Sequence, residues 1–172
     1  MTLLSVNNGR MAKEIERKFM VVGDAWRDAA VSSRSIVQAY LAIDGGTELR
    51  VRLSDGDAAR LTVKLGLSEM TRDEFDYPVP LDDARAMLAA SRGRVIAKTR
   101  HIIRADGHEW EVDVYEGGLE GLVIAEVELG AEDDDPALPA WLGRELTGDP
   151  AWSNAALATH GRPDNAATET IP

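Results

Sequence analysis

The chain has no cysteine. That excludes a disulfide framework, a thiol nucleophile and any thiolate metal site. It has no apolar run long enough to span a bilayer. The opening "MTLLSVNNGRM" lacks both a basic start and a sustained apolar stretch, so no secretory signal is expected. A cytoplasmic protein without a membrane partner is the expectation. Lysine is scarce, with four Lys against 15 Arg. Arg suits a bidentate grip on phosphate or carboxylate. A GC-rich coding bias, which also fits the many Ala, explains that ratio at least as well, so the positions of the charges say more than their number. Bases are themselves outnumbered, 19 against 30 acids, for a net charge of -11. Such a chain is poorly suited to nonspecific nucleic-acid binding, which depends on neutralising phosphates. At 172 residues, 44% hydrophobic and 28% charged, it has the makings of one globular domain with a proper core.

Alternation predicts strands near 13–22, 36–43, 47–54, 59–66, 71–79, 94–104, 109–116 and 122–129. The turn signals "DGGT", "SDGD", "ADGH" and "EGGLEG" separate several of them. Helices are predicted at 24–32, 81–91, 136–146 and 151–159. The one at 81–91 has acids in its first turn and Gly93 just past its end. Residues 11–160 read as one domain, with 1–10 and 161–172 as flexible tails and Met11 as an alternative start. The element order suggests two similar βαβββ halves. The expected fold is α+β, an eight-stranded antiparallel barrel with a few flanking helices.

Parity along the strands is the informative feature, because successive side chains point to opposite faces. In "KEIERKFMV" Glu14, Glu16 and Lys18 share one face, opposite Ile15 and Phe19. "ELRVR" likewise sets Arg50 and Arg52 against Leu49 and Val51, and "RLTVK" sets Lys64 against Val63. Arg72 and Glu74 share a face in "TRDEFDY", as do Lys98, Arg100 and Arg104 in "IAKTRHIIR". Glu109, Glu111 and Asp113 oppose Trp110, Val112 and Val114, and Glu126 and Glu128 oppose Ala125 and Val127. An open sheet with one wet face accounts for any one of these strands. Taken together the faces carry almost nothing but Arg, Lys, Glu and Asp, where a wet surface mixes in Ser, Thr, Gln and Asn. If the barrel closes with its apolar sides against the helices, the charges meet inside. Fixed charges of both signs in a lumen are costly unless ligands and ions complete them. Converging Arg and Lys match a polyanion, and neighbouring carboxylates match a hard divalent cation, Mg²⁺ or Mn²⁺. The two together describe a metal–polyphosphate complex.

At these residues the chain resembles the CYTH superfamily, the triphosphate tunnel metalloenzymes. "EIERKF" resembles the family's first-strand Glu-x-Glu-x-Lys, and "ELRVR", "LTVK", "TRDEFDY", "AKTRH", "EVDVY" and "AEVEL" follow in order, from about Met11 to Asn154. The resemblance implies an eight-stranded tunnel that takes a small-molecule triphosphate and a divalent metal. It implies Glu14, Glu16, Asp113, Glu126 and Glu128 as metal ligands. It implies Lys18, Arg50, Arg52, Lys64, Lys98 and Arg100 as phosphate contacts, with Arg72 and Glu74 a less uniform pair. Tyr40 sits where short bacterial members carry a Tyr, although a core aromatic fits equally well. The catalytic assignment falls on Glu14, Glu16 and Lys18, with a Glu or neutral Lys18 as alternative proton acceptors.

Within that resemblance the chain is most similar to small bacterial tripolyphosphatases, as a monomer or homodimer. It lacks the His-Phe pair associated with the adenylate cyclase branch and the length of an animal-type thiamine triphosphatase. A cyclase, a thiamine or nucleoside triphosphatase and a noncatalytic polyphosphate-binding module are the alternatives. His101, His108 and His160 show no ligand spacing, and His108 is expected in a hairpin turn. "DDD" at 133–135 reads as a solvated loop before the 136–146 helix.

Overall fold

A computed structural model of the chain describes residues 12–66 and 71–163, with only the backbone of Ala12, Lys13 and Thr71. The described strands are β1 (Ala12–Val21), β2 (Ala30–Asp44), β3 (Thr47–Ser54), β4 (Ala58–Gly66), β5 (Thr71–Pro78), β6 (Val95–Ala105), β7 (His108–Tyr115), β8 (Val123–Glu128) and β9 (Leu142–Glu145). Helix α1 (Leu81–Ala90) joins β5 to β6, and α2 (Asn154–His160) follows β9. Glycine turns set the tightest hairpins. Gly45-Gly46 and Asp106-Gly107 form two-residue loops in which every residue has positive φ, between +50° and +86°. Such turns match the twist of antiparallel strands and favour Gly and Asp.

Around the ring the order is β1–β8–β7–β6–β2–β3–β4–β5, and β5 returns to β1, so eight antiparallel strands close into the expected barrel. Closure is short, running from Ala12↔Glu74 to Ile15↔Thr71. Further along, the same edge of β1 is taken by β9, with Phe19↔Glu145 and Val21↔Leu142. Arg17, on the outer face of β1, pins β9 by two bonds to Glu145, at 2.8 and 2.9 Å. Closure also removes sheet edges that would otherwise invite pairing with other chains.

Two predicted helices are corrected. Where 24–32 was expected to be helical there is a single 3₁₀ turn, Arg27–Ala29, and β2 already begins at Ala30. Pairing of Ala30 and Ser32 with Ile103 and Ile102 on β6 extends the strand backwards. Trp26, only 1% exposed, anchors the turn. Sheet pairing and burial outweigh the weak local helix preference. The 136–146 helix is absent too; β9 lies there and completes the β1 edge, which local propensity could not signal. Around 151–159 a 3₁₀ turn (Pro150–Trp152) leads into α2. Of the expected tails at 1–10 and 161–172, residues 1–10 and 164–172 lie outside the described residues.

Apolar sides face outward and are covered, as parity predicted. Ile15, Phe19, Trp110, Val112, Ala125 and Val127 pack with Trp26 against Trp141 and Leu142. The Phe19–Trp110 and Trp110–Trp141 rings sit 5.9 Å apart in tilted and edge contacts, each worth about 1 kcal/mol beyond area burial. Helix α1 covers Val51, Ala59 and their neighbours on β2–β4. At one end of the barrel the lumen itself turns apolar. There Ile96, Tyr115 and Ile124 meet Leu146, Trp152 and Leu157 from the C-terminal segment, which stoppers that end. Among the described residues no helix is long and apolar enough to cross a membrane.

Candidate active site in the barrel lumen

The remaining lumen is a cavity of about 550 Å³ whose mouth lies by the β6–β7 hairpin and the end of β8, at Gly107, His108 and Gly130. It brings together Glu14, Glu16, Arg50, Arg52, Lys64, Glu74, Arg100, Glu126 and Glu128, nine of the residues singled out in the sequence. The others sit nearby but not on its wall. Lys98 and Asp113 are buried behind it. Lys18 and Arg72 line a smaller side cavity of about 130 Å³, which Glu16 also borders. Tyr40 is 1% exposed, and its hydroxyl accepts from Gln38 Nε2 at 3.2 Å. Arg104 leaves the lumen and pairs with Glu109 at the rim.

Register divides the lumen into two walls. On β1, β8 and β7 the carboxylates stand opposite one another, Glu16↔Glu128 and Glu126↔Glu111. Directly opposed like charges on one sheet face are destabilising. Burial and then Glu126 hold the Glu16 carboxyl up at about 7, against Lys18's opposing pull. Burial, followed by Glu14 and Glu111, also raises Glu128. Lys18 meets Glu126 at 2.9 Å. Burial works against the Lys18 charge, but Glu126 and Glu16 outweigh it and hold the ammonium well above its usual range. Lys18 is thus held as the ammonium among these carboxylates, and Glu16 is a carboxyl held near neutrality.

On β3, β4 and β6 the bases gather. Burial, then the charges of Arg50 and Arg100, push Arg52 down to about 10. Among the described residues no carboxylate closes to ion-pair distance of Arg52, and Arg50 Nε is buried without a hydrogen-bond partner. Lys64 is held between Glu14 (2.6 Å) and Glu74 (3.1 Å). Arg72 pairs with Glu48 at 3.0 Å. Underneath lies a knot centred on the fully buried Lys98 and Asp113. Asp113 accepts from Lys98 at 2.5 Å and from two Arg100 nitrogens at 2.7 Å, and Arg100 also pairs with Glu111. Burial pushes Lys98 down to about 8 despite Asp113. The same two cations keep Asp113 below the ordinary carboxylate range against the effect of burial.

Asp113 is thus committed to Lys98 and Arg100. Among the described residues no three carboxylate or imidazole groups converge closely enough to hold a metal as they stand. The donor chemistry fits a hard divalent cation all the same. Glu14, Glu16, Glu126 and Glu128 offer only oxygen, border one cavity and repel one another. Parity placed Glu111 on the charged face, and it also lines the cavity, but parity did not single out Gln38 or Asn154. Gln38 is the one polar residue in "IVQAYL", and Asn154 enters from outside the sheet, where strand parity carries no signal.

A bipolar lumen of this kind, inside a closed eight-stranded barrel, defines the class: an antiparallel barrel whose acidic and basic walls face one cavity. A family model described as the CYTH domain matches residues 12–151. An inorganic triphosphatase of Acetivibrio thermocellus is 40% identical over 150 residues, covering 86% of this chain and 94% of the relative. One from Nitrosomonas europaea is 34% identical over 149 residues, covering 84% and 96%. The crystal structure of the inorganic triphosphatase NE1496 superposes with a TM-score of 0.65 at 32% identity, covering 90% of this chain and 100% of the other. A Hippeastrum protein, a putative adenylyl cyclase described as having a dominant triphosphatase activity, shares the fold at 17% identity, with a TM-score of 0.52 over 69% of this chain and 80% of its own. The chain belongs to the CYTH domain family.

Proposed function

We propose that this protein hydrolyses inorganic tripolyphosphate to pyrophosphate and orthophosphate with the help of Mg²⁺ or Mn²⁺. The observation that carries the reading is the divided lumen, a carboxylate wall facing a guanidinium wall across one cavity. The two similar chains named inorganic triphosphatase support the choice of substrate. Arg50, Arg52, Arg100 and Lys64 bind the phosphate oxygens and neutralise them as charge develops. Glu14, Glu16, Glu126 and Glu128 are the residues to hold the cation, which supplies Lewis-acid charge neutralisation and an acidified water. Asp113 and Lys98 act from behind, fixing Arg100 so that its guanidinium faces the cavity. Water adds to the terminal phosphorus as the bridging P–O bond breaks; Glu16 takes the water's proton, and the bridging electron pair leaves with pyrophosphate.

Phosphate release from tripolyphosphate, ATP and thiamine triphosphate, with Mg²⁺, Mn²⁺ or EDTA, tests this. The expected result is metal-dependent turnover that is fastest on tripolyphosphate. Cyclic AMP formed from ATP at a comparable rate, or tight binding with no turnover under any metal, would overturn it. Arg52→Met should separate binding from folding in the same assay. Without ligand, the loss of a buried cation crowded by Arg50 and Arg100 leaves the melting temperature unchanged or raises it. With tripolyphosphate, loss of a charge-assisted contact raises KM by roughly 10- to 100-fold. A variant with lower stability and unchanged KM would instead make Arg52 a structural residue.

A further inference from the structure

Among the described residues, Asn154 borders the main cavity from outside the barrel strands. Asn154 opens α2, just after Trp152 and Ser153, in the segment that stoppers the barrel, and its side chain borders the main cavity. Two donors hold its carbonyl oxygen from the wall. The Tyr115 hydroxyl donates to Oδ1 at 2.7 Å, and Lys98 Nζ donates to the same atom at 3.4 Å. Because both partners are donors here, they fix the orientation of the amide: oxygen toward the wall, nitrogen away from it. Among the described residues Nδ2 has no hydrogen-bond partner, and it is not one of the sealed polar atoms.

We propose that Asn154 is a substrate-binding residue whose Nδ2 amide donates to a phosphate oxygen at the inner end of the lumen. The C-terminal segment thereby contributes a neutral contact to a site otherwise made of charges. This rests on the reading of the lumen as a triphosphate site. A neutral donor is useful there because the wall behind it already holds the cations Lys98 and Arg100. A third positive charge would have to be buried without a counter-ion, whereas an amide adds a directed contact at no charge cost. Tyr115 then serves as a positioning residue, since it touches only the amide oxygen.

Asn154→Asp and Asn154→Ala distinguish this role from a structural one. Asp keeps the size and the acceptor for Tyr115 and Lys98, but presents an anionic oxygen where the donor stood. Ala loses the acceptor and the donor together. If Asn154 contacts phosphate, Asp is the worse substitution: kcat/KM for tripolyphosphate falls on the order of 100-fold or more, against roughly 10-fold for Ala, mostly through KM. If Asn154 only braces the stopper, the order inverts and Ala is worse in both melting temperature and activity. Calorimetric binding of tripolyphosphate in EDTA gives the same ranking without turnover. Wild-type levels of binding and hydrolysis in Asn154→Asp overturn the proposal while leaving the triphosphatase reading intact. A wild-type protein that neither binds nor hydrolyses tripolyphosphate overturns both.

Discussion

Glu16→Gln is expected to abolish most of the proposed metal-dependent turnover and at the same time to make the protein more stable at neutral and alkaline pH. The two effects have one cause. Glu16 is half-buried on β1 opposite Glu128 and beside Glu126, and its carboxyl is held at about 7 against an ordinary 4.5. In the folded protein it therefore still binds a proton at pH values where the unfolded chain has released it. The folded state is favoured by this group below about pH 4.5, and that advantage is lost as pH rises through 7. Gln cannot ionise, so above pH 7 the variant recovers on the order of 2–3 kcal/mol. Loss of the proposed proton acceptor and cation ligand should lower kcat by roughly 10²- to 10⁴-fold. Thermal melts of both proteins between pH 5 and 9, beside phosphate-release assays, read out the pair of effects. Added Mg²⁺ should raise the wild-type melting temperature more at pH 8 than at pH 5, and should do little for the variant. Normal turnover by Glu16→Gln would remove Glu16 from the site.

Asp113→Asn has the opposite signature, a stability loss of about 3–5 kcal/mol. Asp113 is fully buried and is the shared counter-charge of Lys98 and Arg100. A neutral amide of the same shape leaves the buried Lys98 without a carboxylate partner and Arg100 with only Glu111 and Glu126. Such uncompensated charge costs far more than the net worth of the original pairs. Urea unfolding at pH 7 measures the difference, and a loss under about 1 kcal/mol would show that the knot is hydrated. The wild type should meet the same penalty by acid. The folded Asp113 pKa is depressed, so its contribution is present above the ordinary carboxylate value and drains away as pH falls below it.

The barrel was legible because its code is binary. Glu14, Glu16 and Lys18 against Ile15 and Phe19 give one charged face and one packed face, a pattern repeated in seven strands in order; closure into a barrel came from the near-absence of neutral polar residues on those faces and from the family resemblance, since an open sheet fits any single strand. What strand parity could not show was contact across the ring. That Asp113 would be consumed by Lys98 and Arg100 depends on β6 and β7 being neighbours with Arg100↔Asp113 in register. The position of Lys98 behind the wall follows from the apolar tier above it at the stoppered end. The two lost helices share a single physical reason. Residues 24–32 and 136–146 have acceptable helix formers, but long-range pairing with β6 and β1 decides their conformation. Asn154 was invisible for a related reason, since its role is created by the chain returning to close the barrel.

The two facing walls also bear on how ligands would bind. A lone polyanion entering the lumen is drawn by the guanidiniums of Arg50, Arg52 and Arg100 and repelled by Glu16, Glu126 and Glu128. A lone cation meets the reverse. Each is therefore the other's missing half, and whatever affinity one gains from the presence of its companion, the companion gains equally. If the lumen binds both as proposed, the dissociation constant of either taken alone understates the site, and the coupling between them is the quantity to measure.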